Sequence, residues 1–168
     1  MEVRIKRIDK TLPLPQYETE GAVAFDLLSR KEVTVQPGAI ELIPANVIVE
    51  VPDGYALVIA ARSSMPRKHG LTEPHGIGVI DQDYCGDEDE VKIQVFNFTK
   101  EAVTVPKGTK LAQGLLVRVD RATFKEVDQI RKKSRGGFGS TDQTSRLTYQ
   151  KPSQMRTESA KATAAPNA

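Results

Sequence analysis

Short apolar segments rich in Val, Ile and Leu recur through the first 120 residues, and turn-formers cut each one off before a helix could establish itself. The cuts fall at Gln36-Pro37-Gly38, Pro52-Asp53-Gly54 and Pro106-Lys107-Gly108. Between them, Ala39 to Pro44, Asn46 to Val51, Tyr55 to Ala61, Val91 to Phe98, Ala102 to Val105 and Leu111 to Val119 read as strands. Val3-Arg4-Ile5-Lys6-Arg7-Ile8 alternates apolar and basic residues, as a strand with one wet face does. Helical periodicity is nearly absent. The pattern predicts an all-β chain, an antiparallel sandwich or barrel, with no internal repeat.

At 168 residues the chain is long enough to bury a core as one domain. Its formal charge of +2 is small and its basic residues are dispersed, which argues against a nucleic-acid partner. No apolar run approaches a membrane span, and the N-terminus lacks the apolar core of a signal peptide. Cys85, the single cysteine, excludes an intramolecular disulfide and suits a reducing compartment; a cytoplasmic protein without membrane partners is expected. After Asp142 the composition turns to Ser, Thr, Lys, Gln and Ala, so 143–168 is expected to be a disordered tail. Docking of Leu147 and Tyr149 on a neighbouring subunit is the rival reading.

Five segments carry chemistry. Gly78-Val79-Ile80-Asp81-Gln82-Asp83-Tyr84-Cys85-Gly86 sets two acids and one ring in a glycine-bounded stretch leaving an apolar run. Read as a buried strand, it needs Val79 and Ile80 covered and throws Asp81 and Asp83 to one face. Alternatively, the acids flank a hairpin turn. Ala24-Phe25-Asp26-Leu27-Leu28-Ser29 plants an acid in an apolar strand, where Asp26 either serves a site, caps a turn or pairs with an Arg. Ala61-Arg62-Ser63-Ser64-Met65 puts a guanidinium beside two hydroxyls, a phosphate cradle or the N-cap of a short helix. Lys107-Gly108-Thr109-Lys110-Leu111-Ala112-Gln113 brings one amide within reach of a phosphate, unless Gln113 is simply a surface residue. Finally, Ser134-Arg135-Gly136-Gly137-Phe138-Gly139-Ser140-Thr141 combines close-approach glycines, two hydroxyls and a ring on which a base can stack.

In this order, the five segments resemble the five motifs of the trimeric dUTP diphosphatase (dUTPase) family, from about Val3 to Thr141. The resemblance implies a jelly-roll-like β fold and a homotrimer with active sites shared between subunits. It implies hydrolysis of dUTP to dUMP and pyrophosphate with Mg²⁺, which keeps uracil out of DNA and supplies dUMP for thymidylate synthesis. Carried over by motif, Asp81 is the general base for a water attacking the α-phosphorus, and Tyr84 packs on the deoxyribose. Gly78 and Ile80 belong to the substrate site, and the hairpin backbone reads uracil. Arg62, Ser63, Ser64 and Gln113 bind phosphates, and Asp26 approaches the metal through water. Phe138 stacks on uracil, with Gly139, Ser140 and Thr141 beside the phosphates. The implied division is a β domain 1–130, a glycine-rich arm 131–142 that closes a site, and the tail 143–168.

Three departures from the family pattern mark this chain. Asp87-Glu88-Asp89-Glu90 follows the third motif as a short acidic insertion, either a solvated bulge or a reshaped base pocket. Lys133 stands where the family carries an Arg before its Phe, so either Lys133 or Arg135 meets the γ-phosphate, and Arg135 is preferred. Thr109-Lys110 replaces an acid and an Arg, which puts a structural ion pair in question. Two other readings compete with dUTP hydrolysis: a dCTP deaminase-like enzyme, and a dUTP-sensing regulatory protein on the same scaffold.

Overall fold

The computed structural model describes residues 1–134, 136 and 137. Two compact units are resolved, Met1–Thr123 and Phe124–Ala168. In the second, the described residues form neither helix nor strand. The first is a β structure whose strands are β1 (Ile5–Arg7), β2 (Phe25–Leu28), β3 (Val33–Val35), β4 (Ile40–Pro44), β5 (Val47–Val49), β6 (Tyr55–Ala61), β7 (Leu71–Thr72), β8 (Ile77–Ile80), β9 (Lys92–Asn97), β10 (Val103–Val105) and β11 (Lys110–Arg118). One helical turn, α1 (Met65–His69), interrupts them.

All pairings are antiparallel. The main sheet runs β2-β11-β6-β8, a second runs β4-β9-β7, and two ribbons, β1-β5 and β10-β3, complete the architecture. Alternation decides which side is buried. In β9, Ile93, Val95 and Asn97 point inward while Lys92 is exposed. Leu27, Leu57, Ile59, Leu111 and Ala112 from the main sheet meet Ile43, Leu71, Ile93 and Val95 from the second in a single core. Val47, Val49, Val35 and Val105 extend that core into the ribbons. The expected all-β, jelly-roll-like architecture is thus present.

Three local features set up the site. Gly114 lies where a Cβ would come within 2.8 Å of the Phe25 ring, so β2 and β11 close tightly only over a glycine. Gly70 ends α1 with φ 63°, a left-handed conformation suited to glycine. Buried Asn46, at φ 69°, turns the chain from β4 into β5; its side chain accepts from Asp9 N–H and donates to Asp9 C=O.

Candidate active site

One end of the main sheet gathers the phosphate candidates. Register places Asp26 on β2 opposite Gln113 on β11, and Gln113 opposite Ala60 on β6, with Arg62 leaving the end of β6. Asp26 is 5% exposed, so its carboxylate requires compensation. Arg62 Nε lies 3.4 Å from Oδ1, and Gln113 Nε2 donates to the same oxygen at 3.3 Å. Lys110 Nζ sits 2.9 Å from Oδ2, an ion pair that engages the second oxygen. Glu18 holds the same ammonium at 2.5 Å, and the two acids, Glu18 foremost, raise the Lys110 pKa. Lys110 thus forms an ion pair with both Asp26 and Glu18. Its participation was not legible beforehand, because Asp26 and Lys110 meet only through folding. Ser64 occupies the N-cap position of α1 yet makes no side-chain capping bond, and Ser63 is exposed. Both hydroxyls lie next to Arg62.

The opposite end of the sheet holds the nucleophile-activating candidate. β8 stops at Ile80, and Tyr84 N–H donates to Asp81 C=O at 3.3 Å, closing a turn. Asp81 and Asp83 therefore flank a turn and do not alternate on a strand, which corrects the same-face pairing. Burial of Val79 is corrected too. β8 is an edge strand that turns Gly78 and Ile80 toward the core and leaves Val79 56% and Ile77 53% exposed. Gly78 lies against Ile59, where a Cβ would come within 3.2 Å. Asp81 and Asp83 line an open cleft of about 420 Å³ with Tyr55, Gln82, Val119 and Arg121. The Tyr84 hydroxyl donates to Glu90 C=O at 3.3 Å, leaving the ring 37% exposed.

The acidic run after Gly86 is not one solvated bulge. Glu90 is buried and receives a bidentate pair from Arg30 at 2.7 and 2.9 Å, plus Asn46 N–H at 2.8 Å. Asp89 accepts from Gly86 N–H, and Asp87 meets Lys6 at 2.6 Å, which lowers its pKa. Framework bonds thus use most of the negative charge.

The two ends are not brought together within one chain. Asp81 follows Ile80, which pairs with Leu57, whereas Arg62 follows Ala61. From Ala56 to Arg62, at about 3.3 Å of rise per residue, the separation is about 20 Å. Lys133 is exposed in the second unit, and Arg135, Phe138, Gly139, Ser140 and Thr141 lie outside the described residues. So do half of the expected arm 131–142 and all of the tail 143–168. Among the described residues no three His, Cys, Asp or Glu side chains cluster to hold a metal. In the phosphate cluster the Asp26 carboxylate is already engaged by Lys110, Arg62 and Gln113, which leaves it no oxygen for direct ligation of an ion. Such a donor set suits an ion carried in on a polyphosphate, which keeps most of its shell as water and substrate oxygen. No helix among the described residues is long and apolar enough to cross a membrane.

Comparison with known proteins finds a matching family and fold. The dUTPase family model matches residues 10–142. A deoxyuridine 5'-triphosphate nucleotidohydrolase of Thermoanaerobacter sp. is 39% identical over 145 residues, covering 83% of this chain and 96% of its own length. The enzyme of the same name from Thermobifida fusca is 37% identical over 144 residues, covering 84% and 79%. Among solved structures, the dUTPase of Streptococcus mutans superposes with a TM-score of 0.66 at 30% identity, covering 71% of this chain and 98% of that one. Staphylococcus bacteriophage 80alpha dUTPase, crystallised with dUpNHpp, shares the fold at a TM-score of 0.72 and 22% identity, covering 83% and 97%.

Proposed function

The chain belongs to the dUTPase family, and on that premise we propose that it hydrolyses dUTP to dUMP and pyrophosphate in sites that copies of the chain build together. The observation that carries the shared site is the distance of about 20 Å between Asp81 and Arg62 along β6. The α-phosphorus under attack and the phosphates that leave are bonded neighbours, so one substrate cannot use both residues of a single chain. Asp81 from one copy and Arg62 from another remove the conflict. A ring of three copies, the homotrimer implied by the motifs, repeats that contact with closure.

In this site Asp81 accepts a proton from a water that attacks the α-phosphorus in line. The bond from that phosphorus to the bridging oxygen breaks, and pyrophosphate departs with the bonding electrons. Asp81 is exposed, so its power as a base rests on positioning. Arg62, Gln113 and the Ser63 and Ser64 hydroxyls meet the charge that gathers on the leaving group. Tyr84, tied to the Glu90 carbonyl, presents its ring to the deoxyribose, and the turn backbone with Gly78 and Ile80 reads the uracil. Mg²⁺ bound with the triphosphate would neutralise phosphate charge, and Asp26 would approach it only through water. Arg135, Phe138, Gly139, Ser140 and Thr141, on an arm spanning 131–142 after a β domain 1–130, close over the nucleotide, with Lys133 as an alternative γ-phosphate contact. The cytoplasm, where Cys85 stays a free thiol, is the proposed compartment.

Purified protein with Mg²⁺ is expected to release pyrophosphate from dUTP and hardly at all from dCTP, dTTP or UTP. Equal rates on the four nucleotides would overturn the assignment, and ammonia release from dCTP would replace it with deamination.

A further inference from the structure

Glu73 plays no part in the proposed chemistry, yet it is 8% exposed and sits beside the phosphate cluster. It follows β7 and opens the turn into β8, where Gly76 N–H donates to its carbonyl at 3.3 Å. Backbone donors along β6 alternate between its two neighbours. Arg62 N–H points to β11, donating to Leu111 C=O at 3.0 Å, so Ala61 N–H points to the β8 side. There the ladder has run out, because its final pair is Ala60 with Ile77. Glu73 Oε2 takes the Ala61 N–H at 2.8 Å in place of the missing strand. Its other oxygen, Oε1, is buried without a partner. Burial pushes the Glu73 carboxyl up, while the Ala61 N–H and His75 pull it down.

We infer that Glu73 is a positioning residue for the phosphate site: its carboxyl extends the β6 ladder by one bond and so fixes the strand end from which Arg62, Ser63 and Ser64 project. A buried carboxyl with an unpaired oxygen is costly to keep for packing alone. The bond it makes lies one residue before the guanidinium. This inference rests on the reading of Arg62 as a phosphate contact.

Two substitutions separate reach from charge. Glu73→Asp keeps the carboxylate but withdraws it by one methylene, whereas Glu73→Gln keeps the reach and removes the charge. E73D is expected to raise KM for dUTP about tenfold with a smaller change in kcat, as loss of one buried bond at a ground-state contact predicts. E73Q is expected to stay within about twofold of the parent in KM, since its amide oxygen still accepts from Ala61. Amide hydrogen exchange at Ala61 supplies a readout independent of turnover: slow in the parent and E73Q, faster in E73D. An E73D enzyme with parental KM and parental protection at Ala61 would overturn the role, as would an E73Q enzyme as impaired as E73D. A parent chain without dUTP hydrolysis would defeat the functional reading instead, leaving the exchange result to judge the bond.

Discussion

The two ends of β6 handle charge in opposite ways. At the Arg62 end, a buried carboxylate is surrounded by Lys110, Arg62 and Gln113, and each group is fixed before substrate arrives. At the Asp81 end, two carboxylates stand exposed on a turn beside an open cleft. Leaving-group stabilisation depends on dipoles and charges already oriented, so rigidity belongs at the first end. On the proposed mechanism Asp81 meets its water only when the nucleotide is present, so an open cleft before binding is compatible with its role as base. Val79, two residues before Asp81 on the edge strand β8, is exposed as well.

The largest effect expected is at the open end. Asp81→Asn should lower kcat about a thousandfold while leaving dUpNHpp affinity nearly unchanged, measured by single-turnover kinetics and calorimetry. Parental turnover in that variant would remove Asp81 from its role. Next comes complementation. Asp81→Asn and Arg62→Ala are each expected to be nearly inactive. Unfolded together in equal amounts and refolded, half of the Asp81 donors and half of the Arg62 donors are intact, so about a quarter of shared sites should work. No recovery in a mixed, assembled sample would place both residues in one chain's site.

Asp26→Asn probes the rigid end, leaving Lys110 and Arg62 without their shared counter-charge. KM for dUTP should rise about tenfold, a smaller effect than at Asp81 because Arg62 is displaced and not removed. Away from both ends, Arg30→Met leaves Glu90 buried without its bidentate partner. That should cost about 2 kcal/mol in urea unfolding, less than for a fully buried pair because Arg30 is 31% exposed. The smallest effect is at Asp9, whose carboxyl is held below its ordinary value of 3.8 by Lys107 first and Thr11 second. A depressed folded value stabilises the protein above the unfolded value, and that stabilisation fades as pH falls through the folded one. Lys107→Met should return the Asp9 titration toward the ordinary range, seen by carboxyl NMR.

Much of this was legible in the chain itself. β6 falls on the expected Tyr55 to Ala61, because a short continuous apolar run and the Pro-Asp-Gly turn before it mark both its pattern and its boundary. β7, at two residues, is too short for any periodicity to register and exists through its partner β9. The Asp81 and Asp83 pairing failed for a related reason: Val79 and Ile80 look like a strand that continues, and only the turn bond from Tyr84 shows where it stops. Pattern identifies an apolar side chain but not what covers it, so Val79 read as buried. Contacts such as Lys110 with Asp26, or Glu73 with Ala61, depend on register between distant segments. No local signal announces them.

The placement of β11 has a consequence for how this protein is made. Among the described residues it is the last strand, and it lies inside the main sheet, between β2 and β6. A ribosome that has released everything up to Pro106 has therefore produced two strands with bare edges and no shared neighbour. Nothing can join them until β11 (Lys110–Arg118) emerges and slides between them, against Phe25 at the Gly114 gap. Folding of the main sheet must wait for nearly the whole β unit to be synthesised, and nascent chains stalled before β11 are the species most exposed to aggregation and most in need of a chaperone.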